Sequence, residues 1–256
     1  MKDRVLVDMA ALAGEIMLVS GAEIYRVEDT IIRILRYSGA AETEVVVMAT
    51  GIFITLASAE GEPLSVVRRV RKRATNMNRV YRVNDVSRRF CRGTLSLEDS
   101  GKQLREIAGE IQYGRKLRIL GYTLTPAAFA IMFGGGWLEV LAAGAFGMVM
   151  ALLEILIGRV RLNDFCSSAS EAFIAAFLSL AVQAAFLPSL NIDAVIISDL
   201  MLLVPGVTFT SAIRDTLNGD YTSGIARILE AIVVALAVAS GTGAAMMLGG
   251  MLGGAV

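Results

Sequence analysis

Histidine is absent from the 256 residues, which removes the side chain that most often serves as general base or metal ligand near neutral pH. Zinc hydrolysis and Ser-His-Asp chemistry are therefore not expected, and neither a metal nor a cofactor is. The two cysteines, Cys91 and Cys166, are far apart in the chain and belong to no CxxC pair or disulfide framework, so they read as isolated core thiols. Met1-Lys2-Asp3-Arg4 runs straight into a charged amphipathic pattern, without an apolar stretch and small-residue cleavage site. No secretory signal peptide is expected, and internal spans must direct insertion. Charge itself is missing from two long stretches: 20 residues between Arg118 and Glu139, and 26 after Glu230.

What is present is apolar. Hydrophobic residues make up 55% of the chain and the mean hydropathy is +0.62, more than one soluble core of this size requires. The net charge of zero hides two opposite halves, because residues 1–118 hold 20 of the 24 Lys/Arg but only 15 of the 24 Asp/Glu. Such asymmetry points to two environments on one chain. The fold expected is an α-helical integral membrane protein of about five transmembrane helices with an N-terminal soluble α+β domain, divided as residues 1–112 and 113–256.

In the first part, Val5, Met9, Leu12 and Ile16 recur at helical spacing, and Ile24, Val27, Ile31 and Leu35 do so again before Gly39. Glu44 to Ala49, Gly51 to Ala57 and Leu64 to Val70 read as short antiparallel strands, punctuated by Gly51 and by Glu60-Gly61-Glu62-Pro63. Helical spacing returns from Asn76 to Phe90, and Ser96-Leu97-Glu98-Asp99 forms a capping box for a last helix. The basic run Arg68-Arg69-Val70-Arg71-Lys72-Arg73 is not interleaved with aromatics. It suits a surface beside lipid headgroups, and nucleic acid is not expected as a partner.

In the second part the spans fall at about 119–138, Leu138 to Ile157, Phe165 to Leu187, Ile192 to Ile213, and the stretch after Glu230, each able to cross a hydrocarbon core about 30 Å thick. With the N-terminal domain cytoplasmic, Arg159, Arg161, Arg214 and Arg227 all fall on the cytoplasmic side and the outer loops carry no cation, as the positive-inside rule requires. That arrangement leaves Val256 outside, in a cell (plasma) membrane. Two overlapping GxxxG spacings in Gly249-Gly250-Met251-Leu252-Gly253-Gly254 suit close helix packing, within the bundle or between subunits of an oligomer.

Carboxylates inside a span cost about 2.5–3.5 kcal/mol on insertion scales. Glu139, Glu154, Asp164, Asp193, Asp215, Asp220 and Glu230 lie near boundaries, where solvated helix ends account for them, whereas Glu171 and Asp199 lie deeper. Asp199 precedes Leu203-Val204-Pro205-Gly206-Val207-Thr208. Pro205 removes a backbone donor and Gly206 adds freedom, so a broken helix is expected there, with Thr208, Thr210 and Ser211 adding hydroxyls. Transporters use such breaks to bind substrates and ions, so this is a candidate permeation site, against the plainer reading of a kink with Asp199 paired in the bundle.

Ser20-Gly21-Ala22-Glu23-Ile24-Tyr25-Arg26-Val27-Glu28-Asp29-Thr30, Ala49-Thr50-Gly51-Ile52, Val204-Pro205-Gly206, and Ala212-Ile213-Arg214-Asp215 with Asn218-Gly219-Asp220 and Ser223-Gly224 together resemble the threonine/serine exporter family over nearly the whole chain. The resemblance implies export of small hydroxy amino acids or small dicarboxylates, not enzyme activity. Full-length members look like ten-span proteins. A chain ending after about five spans resembles the larger component of a split form that works with a small membrane partner subunit. Arg214 and Asp215 then join the pathway candidates, while Glu23, Arg26 and Glu28 fall on the cytoplasmic domain as a vestibule. Glu23 and Arg26, three residues apart, can also simply pair on one helix face. Two other readings compete: a membrane-embedded hydrolase with an Asp199–Glu171 dyad, and a non-transporting regulatory scaffold.

Overall fold

The computed structural model describes residues 2–39, 42–57, 63–71, 73–160 and 163–251, with residues 2 and 157–160 described by their backbone alone. Expectations resting on Glu60-Gly61-Glu62, Lys72, Arg161, the side chain of Arg159, residues 252–254 and Val256 lie outside the described residues. In chain order the elements are α1 (Lys2–Val19), α2 (Ile24–Leu35), a short 3-10 turn (Arg36–Ser38), β1 (Glu42–Met48), β2 (Gly51–Ala57), β3 (Leu64–Arg69), α3 (Met77–Cys91), α4 (Leu97–Gly109), α5 (Arg115–Met132), α6 (Trp137–Val160), α7 (Asp164–Ala185), α8 (Ile192–Leu200), α9 (Gly206–Leu217) and α10 (Tyr221–Met251). They form two compact units: Met1–Glu110 with Gly206–Leu229, and Ile111–Pro205 with Glu230–Val256.

The first unit is built on a three-stranded antiparallel sheet in the order β1-β2-β3. Alternation along β2 sends Ile52, Ile54 and Leu56 to one face, where they are buried with Val7, Met17, Ile24, Ile31 and Val83 from α1, α2 and α3. Local chemistry sets the helix ends. Gly39, in the left-handed region at φ 68°, ends the turn after α2. The Asn76 side chain accepts the Arg79 amide at the start of α3, and that of Ser96 accepts the Asp99 amide at the start of α4. α9 and the first turns of α10 form a tight pair in the same unit. A Cβ on Gly224 would lie 2.1 Å from Thr216 Oγ1 and 3.1 Å from the Ala212 carbonyl oxygen, so only glycine lets the two helices approach this closely.

The second unit is a helical bundle. α5 and α6 run antiparallel, and Pro126 in α5 leaves the Tyr122 carbonyl without its helical donor. Gly147 of α6 packs straight onto that carbonyl, where a Cβ would come within 2.1 Å. Gly241 and Gly249 of α10 meet Ala169 and Leu180 of α7 in the same order along both helices, so these two run parallel. Small residues at such crossings are how helices associate in lipid, where no hydrophobic drive separates them from their solvent.

Among the described residues three helices are long and apolar enough to cross a membrane: Trp137–Leu156, Asp164–Ala185 and Tyr221–Met251. α5 begins with Arg115, Lys116 and Arg118 within its 18 residues. The span expected over Ile192 to Ile213 is not one helix: α8 stops at Leu200 and α9 starts at Gly206. Nine residues of α8 rise only about 14 Å, under half a hydrocarbon core.

Candidate functional site

In the first unit, stretches far apart in sequence meet at the start of α2. Asp215, in the last turns of α9, is fully buried, and its Oδ1 accepts the Ile24 amide at 3.0 Å. Its Oδ2 lies 3.1 Å from Nε of Arg227, itself 3% exposed, whose Nη2 donates to the Ala22 carbonyl at 2.8 Å. A buried charge is tolerated when paired and hydrogen-bonded, and this pair has both a carboxylate and backbone partners. Next to it, Glu23 is buried and holds two guanidinium groups: Arg214 Nη1 donates to Oε1 at 2.7 Å, and Arg26 Nε lies 3.1 Å from Oε2. Burial pushes the Glu23 carboxyl up, but its own amide, Arg214 and Arg26 outweigh that and hold it below the ordinary carboxylate value.

The β1–β2 turn joins the same cluster. The Ser223 hydroxyl accepts the Ala49 amide at 3.2 Å, and Glu28 Oε1 accepts the amide of Val47 on edge strand β1 at 3.0 Å. Burial, and next the charge of Asp220, raise the Glu28 carboxyl against the effect of the Val47 hydrogen bond. Three of the motif stretches, around Glu23, Ala49 and Arg214 to Gly224, therefore form one locus.

In the second unit Asp199 is fully buried on α8, and neither oxygen has a hydrogen-bond partner among the described residues. Glu171 on α7 is 4% exposed and accepts the Ser167 hydroxyl at 3.2 Å. Since neither Asp199 oxygen has a hydrogen-bond partner, no hydrogen-bonded Asp199–Glu171 dyad is present among the described residues. Arg118 pairs with both oxygens of Glu154. Pro205 ends the five-residue link after α8, and it lines an apolar groove of about 460 Å³ with Leu200, Val204, Ala235 and Thr242.

The candidate residues thus divide. Glu23, Arg26, Glu28, Arg214 and Asp215 share the first unit's locus, while Asp199, Glu171 and Pro205 belong to the second unit. Gly206 opens α9, Thr208 is half-buried on it, and Thr210 turns its hydroxyl back to the Gly206 and Val207 carbonyls at 3.0 and 3.1 Å. Sequence reasoning used Arg227 as a marker of orientation and Ser223 as part of a motif, and counted neither among the site residues. A cation close to 26 uncharged residues was a usable signal for Arg227; nothing local marks the contact of Ser223 with Ala49. Among the described residues no cluster of three or more His, Cys, Asp or Glu could hold a metal ion.

A family model described as "Putative threonine/serine exporter" matches residues 8–249. A "Threonine/serine exporter" of Corynebacterium glutamicum is 24% identical over 256 residues, covering 96% of this chain and 52% of the relative. A "Probable threonine/serine exporter" of Mycobacterium tuberculosis is 23% identical over 240 residues, 93% of this chain and 45% of the relative. The chain therefore spans about half the length of these two relatives. A "Probable succinate transporter subunit YjjP" of Escherichia coli is 25% identical over 255 residues, 98% of each chain. No solved structure matches. These are names of transporters, not enzymes. With the family model covering most of its length and apolar helices able to cross a bilayer, this chain is a membrane protein belonging to the threonine/serine exporter family.

Proposed function

We propose that the chain is the larger component of a secondary exporter that carries small hydroxy amino acids or small dicarboxylates out of the cytoplasm with a small membrane partner subunit. The observation that carries this reading is Asp199: fully buried, without a partner for either oxygen among the described residues, and one residue from the end of α8. A carboxylate of that cost is kept in a membrane segment to handle an ion or a substrate. Helix interruptions such as 201–205, flanked by Pro205 and Gly206, are where transporters build such sites. Glu171 is the second coupling candidate, with Thr208 and Thr210 on the far side of the break and Arg214 and Asp215 at the cytoplasmic end of α9. Glu23, Arg26 and Glu28 form the vestibule.

In this reading the proton gradient drives export. Residues 1–112 form the cytoplasmic domain and residues 113–256 cross the plasma membrane about five times, with α5 and the interrupted α8–α9 stretch added to the three apolar helices. Arg214 and Arg227 stay on the cytoplasmic side, and α10 ends outside. The partner, and assembly into an oligomer, are supported by the word "subunit" in the names of relatives matched over 98% and 91% of their own lengths. The test is efflux of preloaded succinate or threonine from cells expressing the chain with its partner. Asp199→Asn is expected to abolish efflux while the protein still reaches the membrane. Undiminished efflux removes Asp199 from the mechanism, and a wild-type pair that moves no small acid after reconstitution removes the exporter reading in favour of a scaffold.

A further inference from the structure

Glu23 spends both carboxylate oxygens on two different arginines, and that arrangement leaves an excess of positive charge at the surface. Its side chain is 9% exposed, while those of Arg26 and Arg214 are 45% and 62% exposed. Each guanidinium uses one nitrogen on Glu23, Nε of Arg26 and Nη1 of Arg214, and Arg26 Nε also donates to the Tyr25 hydroxyl at 3.1 Å. Their remaining nitrogens have no partner among the described residues. Another carboxylate of the locus, Asp215, is already committed to Arg227 and to the Ile24 amide. One buried anion thus holds two largely exposed cations, one on each oxygen, and each keeps N–H donors that Glu23 does not use.

We propose that Arg26 and Arg214, held by Glu23, form a fork that binds one oxyanion group, the carboxylate of a small carboxylic acid. A carboxylate laid across both guanidiniums restores charge balance and takes up the free donors, with little ordering cost because Glu23 has already fixed both side chains. Small molecules without an oxyanion group offer nothing for this fork. The cargo identity of the acid rests on the exporter reading; the fork itself does not. A phosphate of an anionic lipid headgroup has the same chemistry and is the other source.

The test uses the full chain, purified in neutral detergent without anionic lipid and titrated calorimetrically with succinate, with threonine and with threoninol, which keeps the ammonium group of threonine but lacks its carboxylate. Saturable binding of succinate and threonine but not threoninol is expected. At least tenfold weaker binding is expected in Arg26→Gln and in Arg214→Gln, with a smaller loss in Arg214→Lys, which keeps charge but not the planar fork. Should Arg214→Gln misfold, Arg26→Gln and Arg214→Lys carry the comparison. No saturable binding of either acid together with no difference in phosphatidylglycerol retention between wild type and the glutamine variants, or equal acid binding by all of them, overturns the fork. Phosphatidylglycerol retained by the wild type in native mass spectrometry and lost in both glutamine variants, with no succinate or threonine binding, supports the fork with the headgroup as its ligand. Binding without efflux sinks the exporter reading and leaves the fork; efflux without binding does the reverse.

Discussion

Asp215 accepts the backbone amide of Ile24 at 3.0 Å, a contact between residues 191 positions apart. Ile24 is the first residue of α2, whose opening amides lack helical partners. A carboxylate from α9 thus caps a helix near the start of the chain and meets the positive end of its dipole. The contact ties α9 and the start of α10 into the fold of the first unit.

Because Asp215 and Arg227 are 0% and 4% exposed at the side chain, removing either takes the opposite charge at 3.1 Å away from a buried ion. Asp215→Ala and Arg227→Met are each expected to destabilise the unit by about 3–5 kcal/mol, with the double variant losing less than the sum. Thermal unfolding of detergent-purified protein measures this. Additive losses would mean that the two charges do not act as a pair.

Gly224→Ala places a methyl 2.1 Å from Thr216 Oγ1. A loss of about 1–3 kcal/mol is expected, as for overpacking elsewhere. Thr216→Ala in the same chain should recover part of it, since the Ala212 carbonyl oxygen at 3.1 Å and the Thr216 amide nitrogen at 3.2 Å then remain close. Melting temperatures of the two variants decide it, and no recovery would place the strain elsewhere.

Glu28 and Glu23 should respond to pH with opposite sign. Burial and then Asp220 raise Glu28, so the folded state holds that proton longer. Its contribution to stability falls as pH rises from the unfolded carboxyl value to the folded one. Glu28→Gln keeps an acceptor for the Val47 amide and should flatten that decline. Glu23 is lowered despite its burial, so its contribution is present above the unfolded carboxyl value and lost as pH falls through the folded one. Unfolding temperatures followed across the carboxylate range should show Glu23→Gln blunting the acid-side loss; a variant with the wild-type profile would contradict the assignment for that residue.

In the second unit Glu139 accepts the Gly136 amide at 2.8 Å and the Asn191 amide at 3.0 Å. It joins the start of α6 to the turn before α8. Glu139→Ala should cost about 1–3 kcal/mol for each amide left unsatisfied, and Glu139→Gln clearly less. Equal melting of the two variants would show that water satisfies those amides.

The proposed topology predicts that, in a background lacking Cys91 and Cys166, Ser189→Cys reacts with an impermeant thiol reagent applied to whole cells and Asn218→Cys reacts only after permeabilisation. The reverse pattern would invert the orientation.

What the sequence disclosed, and what it did not, follows from range. The strands over residues 42–69 and the cap at Ser96 depend on neighbours a few positions away, and periodicity and the capping box expose them; the Asn76 cap was not singled out. The interruption after Leu200 was legible for the same reason, since proline acts on its own turn. Glu139 read as a solvated helix end, because its position at a boundary says nothing of the Asn191 amide 52 residues on. Arg214 and Asp215 were expected in the pathway and Glu23 in a vestibule. That the three share one locus is a long-range fact that no local pattern encodes.

The glycines that join α7 to α10 have a mechanical consequence. At Gly241 the backbones touch, and at Gly249 the Leu180 side chain fills the space a Cβ would take. Two such keyed points, eight residues apart on α10, prevent either helix from rolling or sliding without the other. The pair therefore acts as one stiff strut, and any cycle that exposes first one side of the membrane and then the other must bend the second unit elsewhere. The non-helical stretch at 201–205, next to Asp199, is one place in that unit where no helix opposes such bending.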